Sequence, residues 1–312
     1  MKKLFAVVIS LAVFAGVALA DNPKTVEKKI QSIPVTVVVI DDDDPAGGVD
    51  ANLNNALERF LGAELKINVV KRSAALKDPS FQGFNLDYMP LYLVESNEVT
   101  KEKMADMLRV GQARERNGKI VLDRLSGNGV YANKEIRPRE IDLYVMSQCP
   151  YGVNAENQII DLMKLERIPK DIKINVRFIV SEGPDGSLNS LHGPAEWEED
   201  VRQVIIREKY PEKFWKYLEI RNKDYRSSLW DRAAEKAGIN PRIFAKYWDF
   251  GLQKLKEDIK YTHEYSVSGS PTVIWQGRNS TSISGLANIK GLEGFRQSYG
   301  GGNAGGAPQG RC

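Results

Sequence analysis

The stretch Ile141-Asp-Leu-Tyr-Val-Met-Ser-Gln-Cys149-Pro150-Tyr151-Gly152 joins an apolar strand to a turn that opens a helix. Pro150 suits the first helical position, because the N–H that it lacks would have no partner there and its ring presets the backbone. Cys149 is therefore predicted at a helix N-terminus, where the helix dipole and free N–H groups lower the pKa of a thiol below ~8.5. Ser147 is either a hydrogen-bond donor to that thiolate or an ordinary serine at a strand end.

The turn contains one cysteine. Gly152 stands where the second cysteine of a redox dithiol would be, and the only other cysteine of the sequence is Cys312. A mixed disulfide on Cys149 then needs another thiol to release it, either an external thiol reductant or Cys312. Residues 300–312 have the composition of a Gly-rich flexible tail, which spans about 20 Å as a random coil. Three states of Cys312 are open: a bond to Cys149, a bond that makes a dimer, and a free thiol.

The start of the sequence predicts export. Lys2 and Lys3 precede an apolar run and then Ala18-Leu19-Ala20, which is the layout of a cleavable secretory signal over residues 1–20. The run is shorter than the ~20 residues of a membrane-spanning helix, so we expect a periplasmic or secreted protein with no membrane insertion after cleavage. Loss of both lysines lowers the formal net charge from +3 to about +1, which does not favour a nucleic-acid partner.

The rest of the chain repeats one order of elements, and this repeat predicts an α/β fold with two domains. Residues 34–125 form the first domain, in which a β-branched strand, an amphipathic helix and a second strand precede a strand over 88–94 led by a proline. A helix over 100–113 follows. Residues 126–139 are rich in Gly, Asn and Pro and are predicted as a linker.

The second domain is predicted over residues 140–299. Its strand, helix and strand repeat the order of the first domain, and a mainly helical insertion at about 190–265 then interrupts the pattern. The interruption ends at Gly-Ser270-Pro271-Thr-Val, which again begins a strand with a proline. The aromatic residues of the insertion are spaced like the core residues of helices, so they indicate packing and not a cofactor site.

This order of elements resembles the bacterial Dsb-type disulfide oxidoreductases of the thioredoxin-like superfamily. The resemblance implies two thioredoxin-like domains, the second with a helical insertion, and an active-site turn at Cys149, Pro150, Tyr151 and Gly152. It also implies that Pro271 follows a cis peptide bond beside the cysteine and that the backbone of Ser270 pairs with a bound peptide. Met89-Pro90 is the equivalent pair of the first domain.

A second resemblance covers fewer residues. His192-Gly193-Pro-Ala-Glu196 is similar to the His-Gly-x-x-Glu core of thiol reductases of the interferon-inducible lysosomal type. Cysteines flank that core in the family, whereas Ser190, Trp197 and Ile205 stand at the corresponding places here. His192 is interpreted as a loop or packing residue, or as a group near the thiol if the insertion folds over it.

The first domain has four consecutive carboxylates, Asp41 to Asp44, in the turn where an active domain would have cysteines. Their spacing lacks the alternation of an EF-hand loop, so a solvated acidic loop is the interpretation favoured over a calcium site. The only histidines, His192 and His263, are too few for a histidine-based metal site. We expect no metal and no cofactor.

Two functions follow from these observations. The leading hypothesis is thiol-disulfide exchange on protein substrates by Cys149 as a single nucleophile, with Ser270 and Pro271 binding the substrate backbone and an external thiol reductant as a further partner. The alternative is a redox-inactive protein that binds extended peptides in the same groove for assembly or as a chaperone. The absence of cysteines from the first turn and from position 152 motivates this alternative.

Overall fold

The protein is described by a computed structural model over residues 32–122, 128–296 and 312. The predicted signal, residues 1–20, lies outside the described residues, as does most of the predicted tail. The fold is mixed α/β, which confirms the predicted fold class. Within the described ranges, no helix is long and apolar enough to cross a membrane.

The N-terminal half builds a five-stranded sheet. Its elements, in chain order, are β1 (Ile33–Val39), α1 (Ala51–Leu61), β2 (Leu65–Lys71), α2 (Arg72–Ala75), β3 (Tyr88–Met89), β4 (Leu91–Glu95), α3 (Glu98–Lys103), α4 (Ala105–Arg109), β5 (Arg114–Arg116), β6 (Lys119–Leu122) and β7 (Gly129–Tyr131). The strand order is β2-β1-β4-β6-β5, with β1 and β2 parallel and the other neighbours antiparallel.

The C-terminal half builds a six-stranded sheet and a helical layer. Its elements are β8 (Glu140–Val145), α5 (Pro150–Lys164), β9 (Lys173–Phe178), β10 (Ser181–Glu182), β11 (Leu188–Asn189), α6 (Pro194–Lys209), α7 (Pro211–Arg221), α8 (Trp230–Lys236), α9 (Arg242–Glu264), β12 (Thr272–Trp275), β13 (Asn279–Thr281) and α10 (Ile283–Leu286). The strand order is β3-β7-β13-β12-β8-β9, and β8 and β9 are parallel. Each sheet therefore has the parallel βαβ unit and the antiparallel strands that a thioredoxin-like fold implies.

Two details of the first half differ from the sequence prediction. The single strand predicted over 88–94 is two strands, because Pro90 has no N–H to donate and the ladder breaks there. Tyr88–Met89 pairs in the second sheet and Leu91–Glu95 in the first. The helix predicted over 100–113 is two short helices that meet at Met104, whose φ of −102° and ψ of 11° are not helical.

The two halves share a sheet. Strand β7, which lies within the predicted linker, pairs on one side with β3 and on the other with β13. Tyr88, Tyr131, Tyr144 and Tyr265 are buried around this junction, and the Tyr131 hydroxyl donates to the Tyr265 carbonyl at 2.8 Å. The sheet of the second half is therefore completed by residues that precede it in the chain.

The main apolar core of the second half lies between its sheet and the helices of the insertion. Val201, Val204 and Ile205 on α6 are fully buried and pack with the strands and with α5. Gly251 on α9 lies directly against Ile205 and Val201, where a side chain would clash. This close contact packs α6 and α9, two helices of the insertion, against each other.

Candidate active site around Cys149

Cys149 is the N-cap residue of α5, as the Cys-Pro turn predicts. Its φ of −79° and ψ of 121° are extended, and its carbonyl accepts the N–H of Val153 at 2.9 Å, the first hydrogen bond of the helix. The Cys149 N–H donates to the carbonyl of Met146 at 3.0 Å, which closes the turn after β8. The residue is fully buried, so the sulfur lies inside the site and not on its rim.

The segment before β12 lies beside this turn. The peptide bond between Ser270 and Pro271 is cis, and so is the bond between Met89 and Pro90. The Ser270 hydroxyl accepts the N–H of Met146 at 2.9 Å, and the Ser270 carbonyl oxygen is 3.5 Å from Cys149 Sγ. Ser270 is itself fully buried. The structure thus brings Cys149 next to Ser270 and Pro271, which follow it by more than a hundred positions in the sequence.

Cys149 forms a disulfide with Cys312, across 163 residues of sequence and a Cα–Cα distance of 6.0 Å. The backbone N–H of Cys312 donates to the carbonyl of Ser270 at 3.1 Å. Of the three states that the sequence left open, this structure has the intramolecular bond. Cys312 is therefore neither a free thiol nor the bridge of a dimer in this state.

Gly152 is buried on the first turn of α5. A Cβ built at this position would overlap the hydroxyl oxygen of Ser270, and it would lie 3.2 Å from the Met146 carbonyl and 3.3 Å from Val145 Cβ. Real Cβ atoms do not approach an oxygen that closely, so any larger residue requires Ser270 to move. The Ser270 side chain fills the space that a second cysteine of the turn would need.

Glu196, on the first turn of α6, links the insertion to the turn that contains Cys149. Its Oε1 accepts the N–H of Gln148 at 2.9 Å and lies 2.8 Å from His192 Nδ1, while its Oε2 accepts the N–H of His192 at 3.1 Å. The carboxylate is completely buried. The sequence singled out this residue only by resemblance, and its role as an acceptor for the backbone before Cys149 was missed.

Ser147 does not donate to the sulfur in this structure. Its hydroxyl donates to the backbone carbonyl of Glu196, in the first turn of α6, at 3.2 Å. Ser147 is thus a second link between the turn and the insertion. Pro150 is exposed and Tyr151 half-buried at the opening of α5.

Two buried acids near the turn were also missed. The pKa of Glu156 is raised to about 8, chiefly by burial and in smaller part by the nearby charge of Glu199, against a lowering by the Asn222 amide, which donates to it at 2.9 Å. Burial likewise raises the pKa of Asp200 well above its ordinary range, against a smaller lowering by Ser147. The helical spacing of Gly152, Glu156 and Ile160 was the available signal for Glu156.

The acidic turn of the first half contacts the second half. The Asp42 carboxylate pairs with Arg278 at 2.5 Å, and the Asp44 carboxylate accepts from the Asn279 amide at 2.7 Å. Asp41 accepts the N–H of Ser73 at 3.0 Å. The solvated acidic loop was therefore an incomplete prediction, because these carboxylates are used in packing. The N-cap of α1 is Asp50.

Comparison with known proteins gives structural neighbours of low identity. No protein-family model and no curated protein matches the sequence. The chain is similar to the DsbA disulfide interchange protein from Klebsiella pneumoniae (18% identity, 54% of this chain and 88% of that one, TM-score 0.34). It is also similar to a Proteus mirabilis DsbA in complex with a bound peptide (14%, 51% and 82%, TM-score 0.32). It is similar as well to ScsC from Proteus mirabilis, with 12% identity over 43% of this chain and 56% of that one and a TM-score of 0.33. The chain thus spans little more than half of that protein.

Proposed function

We propose that this protein carries out thiol-disulfide exchange on protein substrates, with the sulfur of Cys149 as the attacking nucleophile. The observation that carries the proposal is the place of Cys149 at the N-terminus of α5, with its sulfur 3.5 Å from the Ser270 carbonyl. A sulfur at this end of a 15-residue helix faces the positive end of the helix dipole, which favours a thiolate. The thiolate is the reactive form in exchange.

The exchange step balances with the residues present. The reduced Cys149 thiolate attacks one sulfur of a substrate disulfide, the substrate S–S bond breaks, and the other substrate sulfur leaves as a thiolate. The product is a mixed disulfide between Cys149 and the substrate. We expect the backbone of Ser270, which precedes Pro271 and β12, to pair with an extended substrate beside the sulfur.

Export to the periplasm, with residues 1–20 as a cleaved signal, completes the proposal. An oxidising compartment supplies both disulfide and thiol substrates. The partners are then protein thiols and extended peptides, with an external thiol as reductant. The division of the chain into an inactive first domain and an active second domain is part of the same proposal.

The experiment is the pH dependence of alkylation of Cys149 in the Cys312→Ser variant, with the double variant that also lacks Cys149 as the blank. We expect the midpoint of the alkylation rate below the ~8.5 of an ordinary cysteine. A midpoint above that value, or a thiol that reacts only after denaturation, would show that the fold does not activate the sulfur.

Peptide binding without chemistry is the second candidate function. It is favoured by one observation, the hydrogen bond from the Cys312 N–H to the Ser270 carbonyl, because this is a backbone contact that any extended segment can make. A Cys149→Ala variant separates the two functions. Full partner binding and full cellular function of this variant would favour binding, whereas loss of function with binding retained would favour exchange.

A further inference from the structure

We propose that Cys312 is the resolving thiol of Cys149 and that it reaches the sulfur by occupying the backbone position predicted for the substrate. This inference rests on the proposed exchange function and names the step that ends it. The turn itself contains no second cysteine, and the overlap between a side chain at position 152 and the Ser270 hydroxyl excludes one without a rearrangement. Cys312 is bonded to the sulfur that has to be released.

The backbone contact of Cys312 is the first support. A disulfide alone requires only that two sulfur atoms meet, and it leaves the backbone of either residue free to turn away. Here the Cys312 N–H also donates to the carbonyl of Ser270 at 3.1 Å, and this carbonyl belongs to the residue before Pro271. Ser270 is fully buried, so an incoming extended chain that pairs with this carbonyl must lie where Cys312 lies.

The first half supports the inference that the residue before a cis-proline pairs with another segment of the same chain. Met89 precedes Pro90 as Ser270 precedes Pro271, and the register of β3 and β7 places Val130 opposite Met89. The N–H of Ala132 donates to the Asp87 carbonyl at 2.8 Å. Hydrogen-bonded pairs alternate in an antiparallel ladder, so the next bonded pair is Val130 with Met89. In both halves, a segment of the same chain thus pairs with the residue before the cis-proline.

The resolving step balances without a further reagent. The Cys312 thiolate attacks Cys149 Sγ in the mixed disulfide, the bond between Cys149 and the substrate breaks, and the substrate sulfur leaves as a thiolate. Over the two steps the substrate disulfide gains two electrons and becomes two thiols, while Cys149 and Cys312 become a disulfide. Return to the dithiol requires an external thiol reductant, such as two molecules of glutathione.

Burial decides where that reductant attacks. Cys149 is completely buried, whereas Cys312 is partly exposed. An incoming thiolate therefore meets the sulfur of Cys312 first, and Cys149 is the leaving group. A sulfur at a helix N-terminus leaves readily because its thiolate is stabilised.

The test uses the reduced protein and glutathione disulfide as the probe, with the adduct mapped by mass spectrometry after acid quenching. Attack by Cys149 first gives a glutathione adduct on Cys149. In the wild type, we expect Cys312 to remove this adduct, so that the intramolecular disulfide and two glutathione molecules are formed. In Cys312→Ser, the adduct should accumulate about tenfold or more above the wild-type level, since a tethered thiol acts at an effective concentration near the millimolar range. Cys149→Ser is the matched control, which should form no intramolecular disulfide.

Two results would overturn the inference, and only the second of them would also overturn the proposed exchange function. Equal and lasting adduct on Cys149 in the wild type and in Cys312→Ser would mean that Cys149 attacks but Cys312 does not resolve, and the exchange function would stand. No adduct on Cys149 in folded Cys312→Ser, with full reaction after denaturation, would remove the exchange function as well.

If Cys312→Ser does not fold, rapid quenching of the wild type replaces it. A transient adduct that decays as the disulfide forms supports resolution, and disulfide formation that never passes through an adduct on Cys149 contradicts it.

Discussion

The two turns that follow β1 and β8 start from the same βαβ frame and are used differently. In the first half, Asp42 and Asp44 bind Arg278 and Asn279 of the second half, so the turn is part of a permanent interface. In the second half, the turn presents Cys149, whose partner is joined to it by a bond that a thiol can open. The residues before the two cis-prolines show the same contrast. Met89, before Pro90, pairs with strand β7, whereas Ser270, before Pro271, pairs with Cys312. The pairing in the first half is part of the sheet, whereas the contact in the second half is held by a disulfide that can be reduced.

The largest effect should come from disrupting the pairing of β7 with β3. Val130→Pro deletes the N–H that faces Met89 in the middle of a sheet, and we expect it to lower the free energy of unfolding by about 3 kcal/mol or more. Val130→Ala is the control, because it shortens the same buried side chain but keeps the N–H. Urea unfolding measures both. If the two variants unfold at the same urea concentration, backbone pairing by β7 does not explain the contrast.

The two helices give the next comparison. Leu57 on α1 and Glu156 on α5 both lie seven residues after their N-cap, and both are buried. Folding raises the pKa of Glu156 from 4.5 to about 8, so the folded state keeps a proton that the unfolded state releases. The stabilisation is therefore complete below pH 4.5 and is lost as the pH rises toward about 8.

Glu156→Gln should remove this dependence. We expect the difference between the two proteins in unfolding free energy to change by about 2–4 kcal/mol from pH 4.5 to pH 8, with the variant gaining relative to the wild type. Urea unfolding at several pH values measures it. Parallel pH profiles would mean that Glu156 titrates alike in both states.

The third comparison concerns the helical insertion, which contacts the turn at Cys149 in the second half and has no counterpart in the first half. Glu196→Ala leaves the N–H groups of Gln148 and His192 without their acceptor, which should cost about 1–3 kcal/mol of stability. It should also change the alkylation rate of Cys149 in a Cys312→Ser background. Glu198→Ala on the same helix is the control, because the exposed Glu198 side chain pairs with the largely buried Arg202 and not with the turn, and we expect it to cost about 1 kcal/mol or less. Equal effects of both substitutions would show that Glu196 does not position the turn.

The smallest effect tests the fit between Gly152 and Ser270. Helix propensity alone would make Gly152→Ala stabilising by about 0.5–1 kcal/mol, but overlap with the Ser270 hydroxyl should make it destabilising. When Gly152→Ala is combined with Ser270→Ala, we expect the double variant to be more stable than the sum of the two single effects by at least about 0.5 kcal/mol, because Ser270→Ala removes the overlapping hydroxyl. A double-mutant cycle in urea measures this coupling. Additive effects would show that the hydroxyl does not limit position 152.

Local patterns explain how much of the fold was predictable. Apolar periodicity and the Cys-Pro turn located α5 to within a residue of its observed end, because a helix depends on residues three and four apart. Pairing between distant segments leaves no such pattern. The sequence therefore did not predict that Tyr88–Met89 joins the second sheet, or that β7 lies within residues 126–139.

The candidate site was predictable to the same extent. Cys149, Ser270 and Pro271 each follow a local signature, a turn or a strand led by proline, and the structure places them together. The partner of Cys149 is 163 residues away in the sequence, and two cysteines at that separation do not reveal their state. The use of Glu196 as an acceptor was also hidden, because nothing local in α6 indicates that a loop of another segment will donate to it.

The bond between Cys149 and Cys312 also makes a covalent ring of almost the entire second half, which leaves β8 just outside. A protease that cuts once inside this ring, for instance between β10 and β11, opens a circle and does not release a fragment. The two ends stay attached to the same molecule until a reductant arrives. Nicked and intact protein would therefore have nearly the same mass under denaturing but non-reducing conditions, and two fragments would appear only once the disulfide has been reduced.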